Sequence, residues 1–183
     1  DLIEQLAERL GNHANLTDEL IAAELQAMGV AATDDIVARV WSGLNASALR
    51  QSGALRAVAL EVHNLAGSQI AINQSAIAVV EVTLADGSRQ VFASGSGGRL
   101  TTEQVRRLIA LGVPPENILF GAAFTNGFTQ AENHAERILL RNLPQGAVVN
   151  RWGISWAGSH RPIPCDVCRP FVAQAGGILE GAQ

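Results

Sequence analysis

The run AIAVVEVTL (76–84) constrains this chain more than any other stretch. It is rich in β-branched residues and reads as a strand. RQVFAS (89–94) follows as a second strand, with Asp86-Gly87 in the turn between them. Asp-Gly between two such runs is the strongest short-range hairpin signal. A sheet therefore stands in the middle of the chain, and the flanking segments must cover it.

Those flanks read mostly as helices. Residues 2–10 and 17–28 are helical, the second behind Thr17 as N-cap, with Leu20, Ile21, Leu25 and Met28 near a 3.6 period. A third helix is expected over about 34–43 and a longer one over about 46–65. After the hairpin, GSGG (95–98) reads as a flexible turn, because it lacks the strand–GxxxxGK[ST]–helix setting of a phosphate cradle. TTEQVRRLIALG (101–112) is a helix capped by Thr101 or Thr102 and stopped at Gly112. Residues 120–130 look like a loop, 131–143 a helix, 147–157 a buried strand, 165–174 a last helix, and GGILEG a short final strand. This order implies an α/β sandwich with a central sheet covered by helices. The expected division is an N-terminal helical segment, 1–46, and a main domain, 47–183.

Composition excludes several classes. The chain has 183 residues, 48% hydrophobic and 16% charged, which suits a globular domain. No apolar run approaches the roughly 18 residues of a membrane span. DLIEQLAERL at the start is an acidic amphipathic helix and not a signal peptide. With no Met before it, the expectation is a domain excised from a longer protein. All 13 basic residues are Arg. Guanidinium suits phosphate recognition, though a compositional bias explains the same usage. A net charge of −4 gives no general nucleic-acid footprint, so any such surface must be local.

Both cysteines lie in RPIPCDVCRPF (161–171). A Cys165–Cys168 disulfide would close a tiny loop and stabilise little. A thioredoxin-like pair belongs after the first strand of its unit, not near the C-terminus. A metal site needs a third ligand. His13 and His63 sit on helical segments without a partner motif and read as ordinary surface or core residues. His134 stands in His-Ala-Glu, with Glu136 two residues on, at the start of a helix. One His and two Cys leave a fourth zinc position open, the mark of a catalytic site rather than a structural one.

H-x-E followed by P-C-x-x-C is the signature of zinc nucleobase deaminases. Over roughly residues 48–180 the chain resembles the cytidine deaminase superfamily, and more narrowly the deaminase domains of bacterial polymorphic toxins. The resemblance implies a three-layer α/β/α sandwich with a mixed sheet of about four to five strands. It implies Zn2+ on His134, Cys165 and Cys168, with the two motif helices side by side under the sheet. Zinc lowers the pKa of its water to about 7. Glu136, not a ligand, would take that proton and pass it to the ring nitrogen and the leaving amine. A zinc-stabilised binding module without catalysis is the competing reading, and it leaves Glu136 without a use.

The substrate is less legible. NRWGISWAGSHRPIPC offers Arg151, Trp152, Trp156, His160 and Arg161 ahead of the cysteines, in a region that flanks the pocket in the superfamily. Ser155-Trp156 is similar to the AID/APOBEC pattern of Ser-Trp-Ser before Pro-Cys, with an insertion here. Trp156 reads equally as core, and Trp152 reads as core. Asn126 is the candidate for the superfamily Asn that faces the nucleoside sugar, although Asn-Gly also suits a plain turn. The substrate-binding set is thus Asn126, Trp156, His160 and Arg161. Superfamily domains usually carry two more strands after the P-C-x-x-C helix, and the nine residues beyond Gln174 allow only one. The expected activity is hydrolytic deamination of cytosine in DNA, single-stranded or with the base flipped, by the toxin domain of a secreted effector acting in the cytoplasm of a target cell. A cognate immunity protein is a possible partner. RNA bases and free nucleosides, including adenosine, are the alternatives.

Overall fold

The computed structural model describes residues 2–10, 17–52 and 54–182; His13 lies outside them. Its sheet is built on the predicted hairpin. β1 (Ala76–Thr83) and β2 (Arg89–Gly95) pair antiparallel, from Ile77 opposite Gly95 to Thr83 opposite Arg89. The turn closes as sequence chemistry requires. Gly87 takes φ +86, and the Asp86 carboxylate accepts the Ser88 N–H at 2.9 Å and its hydroxyl at 2.6 Å.

β4 (Val148–Trp156) pairs antiparallel with the other side of β1, from Ala76 opposite Trp156 to Thr83 opposite Val148. β3 (Ile118–Leu119) adds parallel to β2, and β5 (Ile178–Leu179) parallel to β4. The order is β3-β2-β1-β4-β5. β1 is central and apolar on both faces, so each face takes its own helices.

On one face, Ile77, Val79, Val91 and Ala93 pack with Leu55, Val58, Ala59 and Val62 of α4 (Leu55–His63) and with Leu108 of α6 (Thr102–Ala110). Thr101 and Gln104 form a capping box on α6, and both side chains also donate to carbonyls at the end of α4. On the other face, Ala78, Val80, Phe92 and Ile154 pack with Ile138 and Leu139 of α8 (Ala135–Asn142) and Val172 of α9 (Arg169–Ala175). The result is a three-layer α/β/α sandwich of the cytidine deaminase type, with a five-stranded mixed sheet. Gly153 lets α4 approach β4: a Cβ there would land on the backbone of Leu55 and Arg56.

The N-terminal helices α1 (Leu2–Leu10), α2 (Asp18–Ala27) and α3 (Asp34–Ser52) have a separate core of Leu6, Leu10, Ile21, Leu25 and Val40. Thr17 caps α2 by accepting the Leu20 N–H at 3.2 Å, as its sequence predicts. Arg9 bonds Glu24 at 2.8 Å, and the Trp41 indole donates to Asp18 at 2.6 Å.

Several boundaries differ from the sequence expectation. The helices expected at 34–43 and 46–65 are α3, which continues to Ser52, and α4, which begins at Leu55. A short α5 (Gln69–Asn73) follows, capped by Ser68. The stretch expected as loop at 120–130 holds α7 (Ala122–Thr125). The helix expected from 131 is a 3-10 turn, Ala131–Asn133, and then α8. The last helix starts at Arg169 rather than 165, because Cys165 to Cys168 form a turn of their own.

Arg151, one of the residues ahead of the cysteines in the sequence reading, is held within the sheet. Register sets it opposite Glu81, itself only 2% exposed. Its guanidinium bonds that carboxylate at 2.8 and 3.2 Å and lies 3.5 Å from Glu180. Breaking such a pair strands a buried charge, at a cost of about 3–5 kcal/mol. Arg151→Ala should therefore lower unfolding free energy by about 3 kcal/mol in a denaturant titration.

Candidate active site

Two segments meet at one end of the sheet. His134 is the N-cap residue of α8, with φ −66 and ψ 148, so its ring projects from the helix mouth. Glu136, in the first turn, is 3% exposed, and its carboxylate is near enough to Cys168 to push that thiol's pKa up. The second segment is the Pro164–Cys168 turn. Cys168 N–H and Arg169 N–H both return to the Cys165 carbonyl, at 3.1 and 2.9 Å, which turns both sulfurs to the same side. Cys168 is the N-cap residue of α9 and fully buried; Cys165 is half-buried.

His134 Nδ1 lies 3.2 Å from Cys168 Sγ and 3.3 Å from Cys165 Sγ. The three donor atoms all fall within 4.8 Å of one another, and both thiols are free. Zinc ligands sit about 2.0–2.3 Å from a shared centre, and donors this close to one another suit that geometry. Burial, then the Glu136 carboxylate, pushes the Cys168 thiol well above the ordinary range. A buried thiol beside a carboxylate has no reason to ionise by itself, and a divalent cation reverses that balance. Among the described residues, His134, Cys165 and Cys168 are the group that could hold a metal.

The site opens into a cleft of about 1080 Å³. His134, Glu136, Cys165, Thr125 and Gln130 line one part; Asn73, Ser75, Ser96 and Arg99 line another; Trp156 and Ala157 also line it. The hydroxyl of Ser75 and the indole N–H of Trp156 are buried there without a hydrogen-bond partner among the described residues. The 124–133 wall is held from behind by Arg141, which donates to the carbonyls of Glu132 at 2.6 Å and Phe124 at 2.7 Å, and lies over the Phe128 ring.

The structure brings together His134, Glu136, Cys165, Cys168 and Trp156. It places three other sequence candidates outside the cleft lining. Asn126 is exposed at the end of α7, in an Asn-Gly turn with Gly127 at φ +85. His160 turns its ring toward His63, on the α4 side of the sheet. Arg161 is exposed at the rim, with its guanidinium 5.3 Å from the Trp156 ring centroid. Trp152 is core, as expected, and donates to the Gly176 carbonyl at 3.1 Å. Ser75, Arg99 and Gln130 went unrecognised because no local pattern marks them; only the fold draws them to one cleft.

An α/β/α sandwich with a His-Cys-Cys cluster and a buried glutamate at the mouth of one helix defines a deaminase-like site. The model of the bacterial deaminase MsddA-like domain matches residues 58–170, more than half of the chain, and the chain belongs to that family. No curated protein and no solved structure matches it. The match covers α4 through the start of α9 and leaves α1–α3 outside.

Metal dependence is open to a direct measurement. Chelation should lower the melting temperature of the parent protein, because a ligand present at about 1,000 times its dissociation constant adds about 4 kcal/mol. Cys168→Ser should melt at the chelated value whether or not metal is added.

Proposed function

We propose that the domain is a zinc-dependent cytosine deaminase that converts C to U in DNA by hydrolysis. The observation that carries this reading is the placement of Glu136: buried, beside the His134–Cys165–Cys168 cluster, and at the end of an open cleft. A structural metal site needs no such carboxylate. Zinc held by the three residues would supply Lewis acidity that brings the pKa of a bound water to about 7.

The chain's own residues do the rest. Glu136 takes one proton from the attacking water and delivers it to the ring nitrogen. It then takes the second proton from the hydroxyl now attached to the carbon and passes it to the departing amine, so that the C–N bond breaks, the carbonyl forms, and cytosine and water become uracil and ammonia. Its burial keeps bulk water from competing for those protons. Thr125, Gln130 and Trp156 present polar and aromatic surface to the base. Supporting a polymer over a free nucleoside is the size of the cleft, at the upper end for small-molecule sites, with Arg99 lining it and Arg161 at the rim. Delivery as the toxin domain of a secreted effector, action in a target-cell cytoplasm and a cognate immunity protein rest on the resemblance of the H-x-E and P-C-x-x-C motifs to polymorphic-toxin deaminases. No helix among the described residues is long and apolar enough to cross a membrane.

The test is a uracil count after incubation with single-stranded DNA, duplex DNA, RNA and free cytidine. We expect uracil in DNA and about 10²- to 10⁴-fold less from Glu136→Ala, with zinc content and fold unchanged. Turnover confined to RNA or cytidine would reassign the substrate. Parental activity in Glu136→Ala would remove the proposed proton carrier.

A further inference from the structure

On the α4 side of the sheet, a buried chain of two histidines and a serine takes no part in the chemistry above. His63, the last residue of α4, is fully buried. Its Nε2 lies 2.8 Å from the Ile72 carbonyl, and a carbonyl only accepts, so Nε2 carries the proton. Nδ1 of the neutral ring is then an acceptor, and the Ser155 hydroxyl donates to it at 2.7 Å. Ser155 Oγ accepts in turn from His160 Nδ1–H at 3.2 Å. The two Nδ1 atoms lie 3.2 Å apart, and the rings meet edge to face with centroids 4.9 Å apart. Burial, followed by the charges of His160 and Arg56, lowers the pKa of His63 and favours this neutral form.

The chain joins elements that border the cleft from different sides. Ile72 belongs to α5, next to the lining residues Asn73 and Ser75. His160 ends the loop that begins with the lining residues Trp156 and Ala157. Ala157 N–H donates to the Ser75 carbonyl at 3.0 Å, and Gly158 packs against the Asn73 side chain, whose Oδ1 a Cβ there would meet. The loop is strained: Ala157 takes φ +61 and His160 φ +51. Such conformations persist only where surrounding contacts impose them. Arg56 supplies some of those contacts, donating to the Ile154 carbonyl at 2.6 Å and to the His160 carbonyl.

We propose that His63, Ser155 and His160 form a positioning chain that locks the α5 rim to the 157–160 loop and thereby sets the width at which the cleft holds its substrate. None of the three touches the metal ligands. The kinetic part of the proposal rests on the deaminase reading; the structural part does not.

The test compares the parent with His63→Gln and Ser155→Ala. His63→Gln keeps a donor for Ile72 and loses the acceptor for Ser155; Ser155→Ala removes the link itself. Amide hydrogen exchange should accelerate over 69–76 and 157–161 in both variants and stay at parental rates in α8, with metal content intact. On an oligodeoxynucleotide with one target cytosine, KM should rise about tenfold, the scale of one lost buried hydrogen bond, while kcat stays within about twofold. Nitrogen-15 NMR of the parent should show His63 as the neutral Nε2–H tautomer. Parental exchange and KM in both variants would overturn the proposal. So would losses of metal, kcat and KM together, which mark general destabilisation, or an Nδ1–H or charged His63. If the parent turns over no oligonucleotide, the substrate reading has failed, and exchange with the tautomer decides the positioning role alone.

Discussion

The antiparallel pairing of β1 with β4 is the constraint on which the rest of the structure depends. β1 is apolar on both faces and cannot be left at an edge. Its register with β4, from Ala76 opposite Trp156 to Thr83 opposite Val148, decides which β4 side chains face α8 and which face α4. Strand alternation then sends Trp152 and Ile154 into the α8 core and Ser155 to His63. A slip by one residue would exchange those sets, bury the wrong face and misplace both sides of the cleft.

The chemistry sits where helices begin. His134 and Cys168 are each the residue before a helix, and Glu136 lies one step inside. A helix start leaves backbone N–H groups unpaired and carries a partial positive charge. The same geometry explains why so little sequence suffices for the cluster: two tight local motifs, each rigid on its own, need only be brought together by the packing of α8 and α9 against one face of the sheet.

That locality also explains what the sequence disclosed. His-Ala-Glu and Pro-Cys-x-x-Cys are short and local, so the proximity of His134, Cys165 and Cys168 as a group that could hold a metal, and the hairpin at Asp86-Gly87, could be read directly. Trp152 was legible as core from strand alternation. Arg151 was not legible, because its partner Glu81 is 70 residues away and meets it only through register. For the same reason His63 reads as an ordinary surface or core residue and His160 as a substrate-binding candidate, with nothing in the sequence to join them. Helix ends were shifted where local caps and turns compete with periodicity: Cys165 bonds within its own turn instead of opening α9, and Ser68 starts a separate short helix.

The order of elements along the chain has a consequence for how activity is acquired. β4, one of the two partners of the central strand, and both cysteines lie in the last third of the chain, after α1 through α8. Distant pairings form only after the loop between them has closed. During vectorial synthesis, in which chains grow at about 5–20 residues per second, β1 and β2 emerge with one flank of the sheet open. The cluster remains incomplete until Cys168 has left the ribosome. A chain cut before that point lacks Cys168, and one cut before residue 165 lacks both thiols, so an unfinished copy cannot assemble the cluster.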